Sequence, residues 1–116
     1  MPKTAAEYRA LGFDPAAADY FARGRRTILD VQPQTDFTLL LRFDNGERRR
    51  LDMNPAIQAG GVFKHLTAWQ DFRRVYLDAQ HCVSWDIDPS VDSETVWSNK
   101  IDLDPDGCYL DSKPIA

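Results

Sequence analysis

Apolar and polar residues alternate with a period of two through the middle of the chain, which is typical of β-strands. The alternation begins at Thr27 and is clearest in "DFTLLLRFDNGERRRLDM", residues 36–53. Two alternating runs flank Asp44-Asn45-Gly46, which is the composition of a tight hairpin loop. The pattern therefore predicts a central β-hairpin over about 37–53.

The length of the hairpin loop decides which side chains are buried. A two-residue loop at Asn45-Gly46 would place Phe43 opposite Arg48 and would mix apolar and charged residues on both faces. A three-residue loop with Gly46 in the left-handed conformation pairs Phe43 with Glu47, and we prefer it because it separates the two classes. The apolar face then holds Phe37, Leu39, Leu41, Phe43, Leu51 and Met53. The opposite face holds Thr38, Leu40, Arg42, Arg48, Arg50 and Asp52.

Two helix signals precede the hairpin. Thr4 and Glu7 have the spacing of a capping box ahead of "AAEYRAL". Asp14 followed by Pro15 predicts the start of a second helix that ends at Gly24. Apolar residues at helical spacing form one stripe that we expect to pack on the core. The stripe consists of Tyr8, Leu11, Ala17, Tyr20 and Phe21.

Shorter signals follow the hairpin. A helical turn is predicted from Asn54-Pro55 to Gly60-Gly61, and "TAWQDFRRV" predicts a short helix that Thr67 caps. In that helix Trp69, Phe72 and Val75 would face inward. "VYLD" and "CVSWDI" predict two strands around a turn at Ala79-Gln80, and we interpret "DPSVDSETVWSNK" as an acidic loop with a short strand at "TVW". The tail, "IDLDPDGCYLDSKPIA", is interpreted as extended.

These elements predict an α+β fold in which a small antiparallel sheet with a central hairpin packs against short helices. Residues 1–26 would form an N-terminal helical extension, and residues 27–116 would form a single α+β domain. The 116 residues, with 43% hydrophobic and 28% charged, suit one folded domain. The absence of a long apolar run or signal peptide predicts a cytoplasmic protein without a membrane segment.

Charge is distributed unevenly along the chain, whose net charge is −4. Residues 1–58 contain 9 Lys and Arg against 8 Asp and Glu, whereas residues 59–116 contain 5 against 10. A net negative protein repels a phosphate backbone at long range, so binding to nucleic acid is disfavoured. Cys82 and Cys108 lack the CxxC spacing, which favours buried thiols over a disulfide or redox pair.

Several segments, taken in order, resemble the domain of unknown function 2442 family. They are "LLLRFDNGERRRLDMNPAI", "GGVFKHL", "FRRVYLD", "VSWDID" and "IDLDPDGCYLDS", which span about 28–112. The resemblance implies a small α+β domain with a three-stranded antiparallel sheet and short helices, without assigned catalytic residues. It also implies companions of other small proteins, similar to toxin–antitoxin or regulatory modules. Trp85 precedes a longer acidic stretch than in the usual family pattern, and the predicted helices of residues 4–23 lie outside the shared part. The chain therefore resembles a subgroup with an inserted acidic loop and an N-terminal helical extension.

The stretch "DLDPDG", residues 102–107, has the opening of a calcium loop, with Asp102, Asp104 and Asp106 at the first three ligand positions. Position nine is Leu110, and position twelve, which needs a bidentate carboxylate, is Lys113. Pro and Gly at the second and fourth positions of "DPDG" suit a β-turn. We therefore interpret "DPDG" as a turn.

The sequence gives only weak signals for a metal site or for catalytic residues. Asp86, Asp88, Asp92 and Glu94 lie close in sequence and, with the three aspartates of 102–106, are the candidate ligands for a hard cation. His65 and His81 have no carboxylate or nucleophile at a spacing that indicates a catalytic pair. Cys82 adjoins His81, but neighbouring residues of a strand point to opposite faces, which disfavours a Cys-His dyad.

We therefore expect a non-catalytic binding or regulatory module that acts through protein contact and needs no cofactor. Three like charges on one strand-pair face repel one another, so we expect Arg42, Arg48 and Arg50 to bind an acidic partner or the chain's own acidic loop. Trp97 is expected to be exposed and to anchor a partner protein or a second copy in a homo-oligomer. The alternative is a small enzyme or metal-dependent hydrolase that uses the carboxylates of 86–106.

Overall fold

Two antiparallel sheets and five short helices make up the part of the chain described by the computed structural model, residues 3–115. The elements are α1 (Ala5–Ala10), α2 (Pro15–Arg23), β1 (Ile28–Pro33), β2 (Thr38–Phe43), β3 (Arg48–Asp52), α3 (Asn54–Ala59), α4 (Trp69–Phe72), β4 (Tyr76–Leu77), β5 (Val83–Asp86), β6 (Lys100–Leu103), α5 (Pro105–Asp111) and β7 (Lys113–Pro114). Short 3₁₀ helices lie at Gly61–Leu66 and Trp97–Asn99. The α+β fold class is confirmed.

The strands form a four-stranded sheet in the order β1-β2-β3-β7 and a three-stranded sheet in the order β4-β5-β6. The single three-stranded sheet implied by the resemblance is therefore one of two. In residues 3–115 no helix is long and apolar enough to cross a membrane.

The hairpin has the predicted three-residue loop. Leu39 pairs with Leu51 and Leu41 pairs with Arg49, while the Phe43 amide donates to the Glu47 carbonyl at 2.9 Å. Gly46 has a φ of 87°, the left-handed conformation that the loop requires and that glycine adopts without steric cost. The predicted register and the separation of the two faces are confirmed.

The apolar face of the hairpin and the second sheet contribute to one core. Leu39, Leu41 and Phe43 of β2 are almost fully buried, as are Val83 and Trp85 of β5. The indole of Trp85 donates a hydrogen bond to the carbonyl of α4 residue Phe72 at 2.9 Å, so its one polar atom is satisfied inside the core.

The N-terminal helices start where the sequence predicts. Thr4 and Glu7 form the capping box, and the Asp14 carboxylate accepts from the Ala17 amide at 2.8 Å. Leu11 is 63% exposed, so its predicted place on the apolar stripe is wrong. Leu11 is the C-cap that follows the last helical residue, Ala10, and aromatic rings join the two helices instead. These are Tyr8, Phe13 and Phe21, with ring centres 5.3–5.7 Å apart.

Tyr20 fastens α2 to the C-terminal helix α5. Its hydroxyl donates to the Asp106 carboxylate at 2.6 Å and accepts from the Arg26 amide at 2.8 Å. The Arg25 guanidinium also donates to Asp106, with Nε at 2.9 Å. Burial and the bond to Asp106 raise the pKa of Tyr20 above its usual value, so the phenol stays a donor.

The tail differs from the prediction. "DPDG" opens α5 instead of forming a turn, so residues 105–111 are helical, and only β6 before them and β7 after them are extended as predicted. Asp104 caps the helix by accepting from the Gly107 amide at 2.6 Å, and Pro105 occupies the first helical position. The same Asp-Pro pair begins α2, because proline's fixed φ suits the first turn, where no amide donor is needed.

Two smaller predictions are also wrong. Thr67 does not cap α4, which begins after Ala68, because the Thr67 hydroxyl donates backward to the Lys64 carbonyl at 3.2 Å. "TVW" is not a strand, because the backbone amides of Thr95 and Val96 donate to the Asp92 carbonyl at 3.1 and 2.9 Å and form a turn.

Candidate functional site

The outward face of the four-stranded sheet carries the three predicted arginines. Arg42 of β2 lies directly opposite Arg48 of β3, and Arg50 lies between Leu40 of β2 and Lys113 of β7. All three arginines are exposed, whereas Leu40 is half-buried. The outward arginine face, defined as Arg42, Arg48 and Arg50, is therefore a cationic surface around an apolar centre, and Lys113 extends it.

The charges of this face are not neutralised by ion pairs within residues 3–115. The ion pairs in that range involve Arg9, Arg25, Arg26, Arg49, Arg74 and Lys100. Asp30 of β1 is the acidic residue opposite Arg42 in the sheet register. At the other end of the face, the Thr38 hydroxyl lowers the pKa of the Asp36 carboxyl, and the charge of Arg50 contributes to that lowering.

Arg49 points the other way and is a residue that the sequence analysis assigned to neither face. Its Nε donates to the Ser112 hydroxyl at 2.8 Å, and its Nη2 donates to the Ser112 carbonyl at 2.7 Å. Its Nη1 pairs with Glu47 at 3.1 Å, and its guanidinium lies over the Tyr109 ring. The register of Arg49 opposite buried Leu41 was the sequence signal for this role, because a guanidinium on the inner side of the sheet needs hydrogen-bond partners there.

Trp97 is 84% exposed, at the end of the acidic loop. Buried Asn99 orders this loop by accepting from the Asp88 amide at 2.9 Å and donating to the Asp88 and Val91 carbonyls at 3.0 and 3.1 Å. The indole therefore projects from a segment with a fixed backbone. The predicted exposure is confirmed, and its role as an anchor stays a prediction.

Of the seven candidate metal carboxylates, the six aspartates are engaged separately or lie apart. Asp86 accepts from the Tyr76 and Ser93 hydroxyls at 2.7 and 2.6 Å, and Asp88 accepts from Ser90. Asp92 accepts from the Glu94 amide at 2.9 Å. Asp104 caps α5 and Asp106 binds Tyr20, while Asp102 lies exposed on β6. Between residues 3 and 115, no three Asp, Glu, His or Cys side chains come close enough to hold a metal ion.

His81 does not form a hydrogen-bonded base–nucleophile pair with the thiol of Cys82 or of Cys108. His81 lies in the turn before β5 with a φ of 62°, and its Nδ1 is 3.0 Å from the Ile28 carbonyl oxygen. Our premise that His81 and Cys82 share a strand is wrong, because β5 begins at Val83. Burial raises the pKa of the Cys108 thiol to about 12 and also raises that of Cys82, so both sulfurs are protonated at neutral pH.

A family model described as "Protein of unknown function (DUF2442)" matches residues 28–113, which include the three-stranded sheet, the four-stranded sheet up to the first residue of β7, and the outward arginine face. Comparison with curated proteins and with solved structures finds no match.

Proposed function

The chain belongs to the DUF2442 family, and we propose that it acts as a non-catalytic binding module whose outward arginine face contacts an acidic segment of another protein. Guanidinium groups form charge-assisted, often bidentate hydrogen bonds with carboxylates, which gives such contacts both energy and orientation.

The observation that carries the proposal is the register of Arg42 directly opposite Arg48, on strands whose other face is buried. Like charges that face each other across two strands are destabilising. The fold does not need a cation at either position, because these side chains point away from the core. An external acidic segment would remove the repulsion, which is a reason for the cluster that packing does not supply.

An acidic protein segment suits this face better than nucleic acid does. The whole chain carries a net charge of −4, and Asp30 and Asp52 lie on the same face as the arginines. These charges would repel a continuous phosphate backbone. Half-buried Leu40 lies between the arginines and would pack on an apolar side chain of a peptide.

The test is a double charge reversal, Arg48→Glu with Arg50→Glu. The probe is a fluorescently labelled peptide of alternating Glu and Leu, and its binding is followed by anisotropy. We expect the wild-type protein to bind this peptide with an affinity that falls as salt rises, since screening weakens exposed charge contacts. The reversal should abolish binding and leave the melting temperature within about 2 °C of the wild type.

The matched control is Lys64→Glu with Arg73→Glu, which makes the same change in net charge at exposed positions outside the face. It should retain most of the binding. Equal loss in both double variants would mean that only net charge matters, and tighter binding of a DNA or RNA oligonucleotide would point to the other class of partner. A fall in melting temperature with unchanged peptide binding would mean that the arginines serve the fold.

A further inference from the structure

A groove lies beside the end of β3, away from the centre of the outward arginine face. It has a volume of about 620 Å³ and lies between the β3–α3 segment and the β6–α5 segment. Its walls include the apolar side chains of Met53, Ala56, Phe63 and Leu103. Phe63 and Leu103 are half-buried, so part of each apolar side chain faces the groove without cover from residues 3–115.

The rim of this groove is acidic. Four carboxylates and one lysine line it, namely Asp52, Asp102, Asp104, Asp111 and Lys113. None of the ion pairs within residues 3–115 involves these four aspartates. Asp52 and Asp104 have local tasks, since they accept from Asn54 and from the Gly107 amide, respectively. Asp102 and Asp111 are exposed and form no hydrogen bond in the described chain through their carboxylates.

We propose that this groove binds an amphipathic, basic segment of a partner protein, with apolar side chains between the walls and Lys or Arg side chains on the aspartate rim. Grooves of this kind bind the apolar face of a helix, and cations at the margins match the charge of the rim. The excess of three negative charges on the rim, from four aspartates and one lysine, is the reason for choosing a basic occupant. The inference is separate from the acidic partner proposed above, because the apolar walls, Asp102 and Asp111 lie outside the outward arginine face and the charge is opposite, while Asp52 and Lys113 border both surfaces.

The groove also has the dimensions of a ligand site. Its volume lies within the range of roughly 300–1,000 Å³ that is usual for sites of small ligands. An acidic rim around partly accessible apolar walls suits a cationic amphipathic segment better than an anionic ligand, because the aspartates would repel an anion.

The test uses the intact chain and an 18-residue labelled peptide of Leu and Lys in a helical amphipathic order. A second peptide with Glu in place of Lys is the control for charge. We expect the Lys peptide to bind with salt-dependent affinity and the Glu peptide not to bind at the groove. NMR amide shifts should change at Phe63, Leu103 and Cys108, which line the groove, and not at Arg42 or Arg48 of the outward arginine face.

Asp102→Asn with Asp111→Asn should weaken binding at least about tenfold, since two rim charges are lost without removing a cap or a buried side chain. The matched control is Asp92→Asn with Glu94→Gln, which removes two charges from the acidic loop and should change binding less than about twofold. Ala56→Trp, which fills the groove without a change in charge, should also weaken binding.

Three outcomes would overturn the proposal. Equal weakening by the rim and loop variants would mean that the peptide responds only to overall charge. Amide shifts confined to other surfaces would place the peptide elsewhere. Sedimentation that shows a dimer of the free protein, dissociated by Asp102→Asn with Asp111→Asn, would identify a second copy as the occupant.

Discussion

The guanidinium carbon of Arg49 lies 4.2 Å from the centre of the Tyr109 ring, which places a cation of the hairpin on an aromatic side chain of the last helix. The Tyr109 hydroxyl donates to Glu47, which also pairs with Arg49. Arg48 and Arg50, the sequence neighbours of Arg49, point to the opposite side of the sheet. One run of three arginines therefore supplies both an internal contact between the hairpin and the C-terminal helix and an external charged surface.

This division predicts unequal effects of alanine at adjacent positions. Arg49→Ala removes two hydrogen bonds to Ser112, the pair with Glu47 and the contact with Tyr109, so it should lower the free energy of unfolding by roughly 2–4 kcal/mol. Arg50→Ala should cost less than about 0.5 kcal/mol. Urea unfolding of both variants measures the difference, and similar losses would contradict the assigned orientations.

The hairpin register makes a second prediction about neighbouring leucines. Leu41 is 1% exposed, so Leu41→Ala should leave a cavity and cost roughly 2–5 kcal/mol. Leu40→Ala, on the outward face, should cost less than about 1.5 kcal/mol. Thermal or urea unfolding of the two single variants measures both values. A larger loss of unfolding free energy at Leu40 than at Leu41 would mean that the two faces of the sheet are assigned the wrong way round.

Asp78 predicts a pH dependence of stability. Its carboxylate pairs with Lys100 at 2.5 Å and accepts from the Gln80 and Cys82 amides at 2.9 and 3.0 Å. Burial alone would raise the pKa of Asp78, but the bonds from Lys100 and from the amides outweigh it and lower the pKa below its usual value. A carboxyl with a lowered pKa stabilises the fold above its unfolded pKa of about 3.9, and this contribution is lost as pH falls through the lower, folded value.

The variant that measures this contribution is Asp78→Asn. It should cost about 3 kcal/mol at pH 7, because it leaves the Lys100 ammonium, 17% exposed, without its anion. Below about pH 4 the gap from the wild type should begin to narrow, because the Asp78 carboxyl of the unfolded wild type is protonated there, and it should close further as pH falls through the lower pKa of the folded state. Unfolding curves from pH 7 to pH 3 would record both effects. A constant gap over that range would show that the charge of Asp78 is not the stabilising feature.

Calcium should leave the melting temperature unchanged within about 1 °C at millimolar concentration, because Asp104 is occupied as the cap of α5 and Asp106 is bound to Tyr20. Asp104→Ala should lower the free energy of unfolding by about 1 kcal/mol with or without calcium. Differential scanning calorimetry provides both values. A calcium-dependent rise that Asp104→Ala abolishes would contradict this assignment.

The parts of the fold that the sequence predicts are those determined by near neighbours. The hairpin register follows from the alternation around Gly46, and the starts of α1 and α2 follow from caps three residues apart. The start of α5 carries the same Asp-Pro signal, but "DPDG" also suits a turn. A seven-residue helix is decided by what its side chains bury, here Cys108.

The unpredicted part of the candidate site depends on contacts between distant segments. Arg49 and Ser112 are separated by 63 positions in sequence, so no local pattern joins them. The groove is likewise formed by α3 and α5, whose meeting depends on the packing of both sheets. By contrast, the outward direction of Arg42, Arg48 and Arg50 needs only strand alternation, and the sequence is sufficient to predict it.

The short strand β7 has a consequence for aggregation. An open sheet edge offers unpaired amides and carbonyls on which other chains can polymerise. Here β3 is bordered by Lys113 and Pro114, and the Ile115 amide donates to the Arg48 carbonyl at 2.9 Å. Proline has no amide hydrogen to offer to an incoming strand, and lysine brings a charge that a growing stack would have to desolvate. The last strand therefore protects this edge of the sheet against the cross-β growth that exposed hairpins invite.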